Sequence, residues 1–265
     1  MATHTTLTSA PSWRPDVVVY PSEEVIPSAL ALVAGNVVAN IEGDAPTVRI
    51  PRVTSTAEPG FVPEGTLIPD SGAALDEVTV GTRKIAVLGR FSREQAGQAN
   101  TLRLALASLT ASVVRSADEA FLNHADETDT TLTGILAGKD LPAPLAYDGL
   151  GSLIDAAASV EDDGGRASVI LANPRSWATV AKDLDLGHES VERRVLGLPV
   201  VTNSAVPAGT LAVVDRDAVP VATGQVEVAR SEEALFTHDS VLVRVLFRLG
   251  WTVADPARVQ RVTVA

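Results

Sequence analysis

The order in which helical and alternating hydrophobic patterns follow one another carries most of what this chain reveals. Residues 92–125 give the clearest pattern: Ser92 with Gln95 makes a capping-box pair, and Leu102, Leu106, Leu109, Val113 and Phe121 trace one face of a helix. The spacing predicts one helix of about thirty residues, on the order of 45 Å long. Upstream, Val25, Ile26, Leu30, Val33, Val37 and Val38 recur at helical spacing within residues 22–40, which predicts a helix starting near Pro27. TVRIPRV (47–53) alternates as a strand, and in residues 75–91 the positions Leu75, Val78, Val80, Ile85, Val87 and Leu88 predict a long strand or two. Between them, residues 54–74 give way to Pro, Gly, Thr and acids. Two strands joined by so long an excursion make a projecting hairpin, and a loop of about twenty residues belongs in a compact domain only if it has a task, such as lying across a partner.

The second half alternates helix and strand in the α/β manner. Residues 147–160 read as a helix, 167–173 as a buried strand, and Asn173-Pro174 as an N-cap opening a helix to about Leu184. Residues 194–230 read as short strands between Pro and Gly turns. The last regular pattern, SVLVRVLFRLGWTVADP, alternates strictly, with Arg244 and Arg248 on one face and Val243, Val245, Phe247 and Leu249 on the other. Residues 1–21, with Pro11, Pro15 and Pro21 among Thr and Ser, favour an extended arm over a helix. The whole is α+β.

Composition narrows the function. The 265 residues are 46% hydrophobic and 20% charged, as in a folded globular protein, and there is no cysteine, which removes disulfides, thiolate nucleophiles and Cys-ligated zinc. No basic segment followed by an apolar run opens the chain, and no window approaches the ~20 apolar residues of a membrane span. A net charge of −12 argues against a nucleic-acid reader, whose binding rests on basic patches. Only Lys84, Lys139 and Lys182 among the 21 basic residues are lysines; Arg favours bidentate ion pairs of the kind found at interfaces.

No catalytic or metal constellation stands out, and no cofactor is implied. His4, His124, His188 and His238 are scattered without ligand spacing. His238, Asp239 and Ser240 make a hydrolase triad only on paper, since triad members converge from separate elements. The acidic runs 126–129 and 161–163 lack the spacing of a calcium loop and read as solvated turns, while GLGSL (149–153) lacks the glycines and the Lys of a phosphate cradle.

Six stretches in order complete the reading: VVVYPSEEVI, TVRIPRV, FVPEGTLIPDS with LDEVTVGTRKIAVLGRFSREQ, VILANPRSWATVAKD, LGLPVVTNSAVPAGTLAVVDRDA and SVLVRVLFRLGWTVADPARVQRVTV. Together they resemble the major capsid proteins of tailed bacteriophages with the Hong Kong 97 type fold, over nearly the whole chain. The resemblance implies an N-terminal arm at 1–21, a first part of the peripheral domain at 22–49, an extended loop at 50–85 and more peripheral domain at 86–144 with its spine helix at 92–125. It further implies an axial domain at 145–235 and a return to the peripheral domain at 236–265. Function would then be assembly: self-association through pentamers and hexamers into an icosahedral head around double-stranded DNA that is contacted weakly and without sequence preference. Separate scaffolding, portal and decoration proteins would be partners, and the location would be the host cytoplasm during assembly and then the virion.

The extended loop carries Glu58, Glu64, Asp70, Asp76 and Glu77 with no basic residue between Val53 and Thr82. Its tip residues Phe61, Pro63 and Glu64, with Glu58 and Asp70, are expected to contact a neighbour, and Arg93 and Arg103 on the spine helix are candidate receivers. Some relatives weld their shells through a loop Lys and an Asn. Here the loop has no Lys between Val53 and Thr82 and the last Asn is Asn203, so no covalent cross-link is expected. The start of the chain reaches the arm almost at once, so no cleaved scaffolding segment is expected. An encapsulin-type nanocompartment shares the fold and is the alternative, although the Pro-rich start favours a phage shell; a monomeric α/β hydrolase or binding module would need a polar site that the sequence does not offer.

Overall fold

The computed structural model describes residues 17–55, 61–67, 74–98, 100–128, 131–185 and 193–264. In chain order its elements are β1 (Val17–Tyr20), α1 (Ser22–Val25), α2 (Leu30–Ala34), β2 (Asn36–Asn40), β3 (Thr47–Ser55), β4 (Ala74–Ser92), α3 (Arg93–Gly97), α4 (Thr101–Asn123) and β5 (Leu145–Ala146). They continue with α5 (Leu150–Asp162), β6 (Val169–Ala172), α6 (Pro174–Asp183), β7 (Arg194–Val195), β8 (Leu198–Thr202), β9 (Thr210–Val214), β10 (Pro220–Leu235), β11 (Ser240–Trp251) and β12 (Val259–Thr263). The mixed α+β class is as expected.

Two sheets organise these elements. The first runs β1-β10-β11-β4-β3, antiparallel throughout, with β2 joining β10 in parallel. The second runs β5-β12-β9-β6-β8-β7. The strict alternation of β11 puts Val241, Val243, Val245, Phe247 and Leu249 inward and exposes Arg244, as its sequence predicts. Against that inner face lies α4, through Val113, Ala117, Phe121 and Leu122, and the Phe121 ring meets Trp251 edge-on at 5.4 Å. All four residues of β6 are buried because both its faces are covered. Val169 and Leu171 join the core under α4, whereas Ile170 and Ala172 join a second core with α5 and α6. The Asn173 cap forms as read, its side chain accepting from Arg175 N at 3.0 Å.

Two readings are corrected by tertiary pairing and local backbone. Residues 22–40 are not one helix: the missing N–H of Pro27 separates α1 from α2, and Val37 and Val38 belong to β2, paired with β10 about 180 residues away. The predicted helix over 92–125 is interrupted. The Ser92 capping box forms but opens only α3, and Asn100 at φ 67 starts α4 afresh, so the rod is 23 residues and about 35 Å long. At the end of residues 145–235, β10 is a single 16-residue strand of the first sheet, with a register shift between Thr223 and Val226. Within 236–265, β11 lies in the first sheet, whereas β12 pairs with β9 and β5 in the second.

Candidate assembly interface

β4 serves two partners. Residues 82–92 pair with β11 inside the sheet, while residues 74–81 pair with β3, in register from Thr47 opposite Gly81 to Ser55 opposite Ala74. The hairpin therefore leaves the sheet as a continuation of one of its own strands. Its root is fixed by a small apolar cluster of Val80 with Ile41 and Ala222, and by Arg52, which pairs with Asp255 and donates to Ala254 O at 3.0 Å. Asp76, opposite Arg52, and Glu77, opposite Pro51, are exposed, and Glu77 is met at 3.4 Å by Arg49 of the same hairpin.

Residues 61–67 hold a turn at Pro63–Thr66: Thr66 N and Oγ1 both donate to Pro63 O, at 3.2 and 2.7 Å, and Gly65 takes φ 79, the left-handed value such a turn needs at its third residue. Phe61 and Leu67 flank it, essentially fully exposed, with Val62, Pro63 and Glu64 also in solvent. The hydrogen-bonded turn thus holds an aromatic and a leucine in solvent. Glu58 and Asp70 lie outside the described residues.

The two candidate receivers differ. Arg93 is engaged within its own subunit, its Nε on Asp239 Oδ1 at 2.6 Å and its N–H on Asp239 O at 2.9 Å. Arg103 is exposed on the first turn of α4 with no ion pair among the described residues. Both follow the far end of β4 from the tip, so the structure brings Phe61, Pro63 and Glu64 together but keeps Arg93 and Arg103 away from them within one chain. The paper triad does not converge either: Asp239 is held by Arg93, and Ser240 Oγ donates to the main-chain oxygen of His238 at 2.8 Å. Among the described residues no group of three or more His, Cys, Asp or Glu is arranged to hold a metal, and no helix is long and apolar enough to cross a membrane.

Residues 33–264 match the model of the phage capsid family. The chain belongs to that family. Solved structures share its fold: the capsid of an empty GTA particle (18% identity, TM-score 0.67, 100% of this chain and 95% of that one) and a chain of Gordonia phage Cozz (17%, 0.67, 97% and 90%). Mycobacterium phage Bobi gives a third match (17%, 0.67, 89% and 90%). No curated protein matches. The chain is a major capsid protein with the Hong Kong 97 type fold of tailed phages.

The two sheets of this capsid protein are tied by a seam that sequence reading missed. Asp118 of α4, almost wholly buried, accepts from Leu30 N and from Asn203 Nδ2, each at 2.7 Å. Asn203 is held in turn by Ala205 N at 2.8 Å, and Asn123 Nδ2 donates to Ala205 O at 2.7 Å. Burial pushes the Asp118 carboxyl above its ordinary range, and the bonds from Leu30 and Asn203 pull it partly back. The signal was present, since Asp118 falls on the buried side of the helix beside Ala117, Phe121 and Leu122. Also missed were Leu196, exposed at a left-handed φ of 54 on the turn between β7 and β8, and exposed Leu150 and Ile154 on α5.

Proposed function

We propose that this capsid protein builds a closed icosahedral shell through pentamers and hexamers and encloses double-stranded phage DNA, with the β3–β4 hairpin lying as an extended loop on an adjacent subunit. The observation that carries the reading is the tip: Phe61 and Leu67 are placed in water by a hydrogen-bonded turn, at the end of a two-stranded arm rooted in the core. Burying such side chains on a neighbour is worth about 1.5–3 kcal/mol apiece, and contacts of that size repeated around a closed surface add up. Arg103 is the receiver of choice for the acids of the loop, because Arg93 already holds Asp239. The expected arm lies outside the described residues up to residue 16 and runs into β1 at Val17–Tyr20, and the second sheet with α5 and α6 forms the axial part near the symmetry axes. DNA contact is weak and non-specific, in keeping with the net charge of −12. Scaffolding, portal and decoration proteins are separate partners, met in the host cytoplasm where heads assemble.

The test is negative-stain electron microscopy of the purified protein, expressed alone and with its neighbouring phage genes. Closed shells of phage-head diameter are expected. Uniformly small particles would move the reading to a cargo compartment, and monomers under both conditions would refute assembly.

A further inference from the structure

Leu196 is unusual in both backbone and environment. It is the first central residue of the two-residue turn joining β7 to β8; its φ is 54 and that of Gly197 is 78. Both values positive is the pattern of a type I′ turn, in which Asn, Asp or Gly sits at the first position without strain. A leucine there is strained, and its side chain is 43% exposed, so neither feature helps the subunit fold. Strain combined with exposure is retained where a residue acts on something outside its own fold. The turn is well braced: Val195 is buried, Arg194 donates to Gly197 O at 3.2 Å, and Arg193 donates to Thr202 Oγ1.

β7 is the last strand of the second sheet, so this basic hairpin stands at one edge. Over the other edge lies α5, packed on β12, β9 and β5. Its outward flank carries Leu150 and Ile154, one helical turn apart and 42% and 47% exposed. Asp155 and Glu161 are exposed on the same helix, with no ion pair among the described residues. A leucine-tipped turn with two arginines at the β7 edge and an acidic, leucine-bearing helix near the β5 edge thus lie toward opposite edges of the second sheet. Unlike patches on opposite sides make a head-to-tail contact, which closes into a ring when the rotation permits; a two-fold pair would need the same patch on both copies.

We propose that Leu196 of one copy seats against Leu150 and Ile154 of the next, with Arg193 and Arg194 facing Asp155 and Glu161, and that this contact closes the ring of each capsomer. The inference rests on the capsid reading and assigns one of its interfaces. Opposite charges flanking an apolar anchor orient the approach as well as hold the contact.

The chain has no cysteine, so an Ile154→Cys/Leu196→Cys double variant carries only the two thiols of interest. Assembled shells treated with a short bismaleimide should give a ladder on a denaturing gel that ends at pentamer and hexamer, while each single-cysteine variant stays monomeric. Leu196→Asp, which suits the turn but sets a carboxylate against an acidic flank, should leave the subunit's melting temperature unchanged or higher and cut shell yield about tenfold or more. Closed shells of the double variant that release only monomer, or normal shell yield from Leu196→Asp, overturn the inference and leave the capsid reading standing. Failure of the wild-type chain to form shells with its phage partners overturns both.

Discussion

Asn203, just beyond the end of β8, donates its side-chain amide to the carboxylate of Asp118 in α4 at 2.7 Å, across 85 positions of chain. The other oxygen of that carboxylate accepts from Leu30 N, also at 2.7 Å, so one buried group joins the start of α2, the long helix and the second sheet. Both partners are donors. An amide at position 118 would turn its own NH2 toward one of them.

Asp118→Asn should therefore lower stability by about 1–3 kcal/mol, the cost of an unsatisfied buried polar group. The pH dependence has a definite sign. The folded carboxyl titrates above its unfolded value of 3.8, so its contribution is full below that value and is lost as pH rises through the folded value. The wild-type advantage over the variant should be larger near pH 4 than at pH 7, as read by urea melts of both proteins. An advantage that grows with pH would show that the seam works differently.

Leu196→Asn should make the isolated subunit more stable by about 1 kcal/mol, because Asn accepts the left-handed backbone that Leu196 holds at φ 54. Thermal melting of unassembled subunits measures this; a lower melting temperature would mean that the leucine packs within its own chain.

Tyr147 donates its hydroxyl to Asp183 Oδ2 at 2.9 Å, tying the segment between β5 and α5 to the end of α6. Desolvation, this bond and the nearby charges of Asp183 and Asp148 push the phenol up to about 12. Its stabilising contribution should persist up to the unfolded value of 10.0 and fade as pH rises through the folded one. Phenolate absorbance should show Asp183→Asn bringing this ionisation back toward 10.0.

Phe61→Ser and Leu67→Ser should change subunit stability by no more than about 0.5 kcal/mol, since both side chains already stand in solvent, yet should impair shell formation. Glu64→Lys should behave alike. Equal shell yields from all three would remove the tip from the interface.

Boiling mature shells in detergent should release a single monomer band. Residues 47–81 of the hairpin contain no lysine, and Asn203 is occupied with Asp118 and Ala205; a ladder without added cross-linker would refute this.

What sequence disclosed was local. The Asn173 cap, the Ser92 capping box and the alternation of β11 each depend on residues within a few positions, and each formed. The misreadings concern partners far along the chain. Val37 and Val38 fit a helix as well as a strand until β10 pairs with them, and nothing near Val259 tells which sheet receives β12. The break before α4 was hidden because Asn tolerates a left-handed backbone without announcing it as Gly does. In the site, exposed Phe61 and Glu64 were legible from their turn-forming context. Leu196 was not: a leucine before glycine reads as ordinary hairpin text until its φ is known.

One strand is both wall and arm. At 19 residues, β4 runs about 60 Å, with one half bonded into the core through β11 and the other carrying the tip through β3. It acts as a spoke with no hinge at its middle, since the hydrogen-bonded ladder passes from one partner to the other between Gly81 and Thr82. A load applied at the tip is therefore carried into the inner sheet, and must be absorbed by bending that spoke or tilting the whole body behind it.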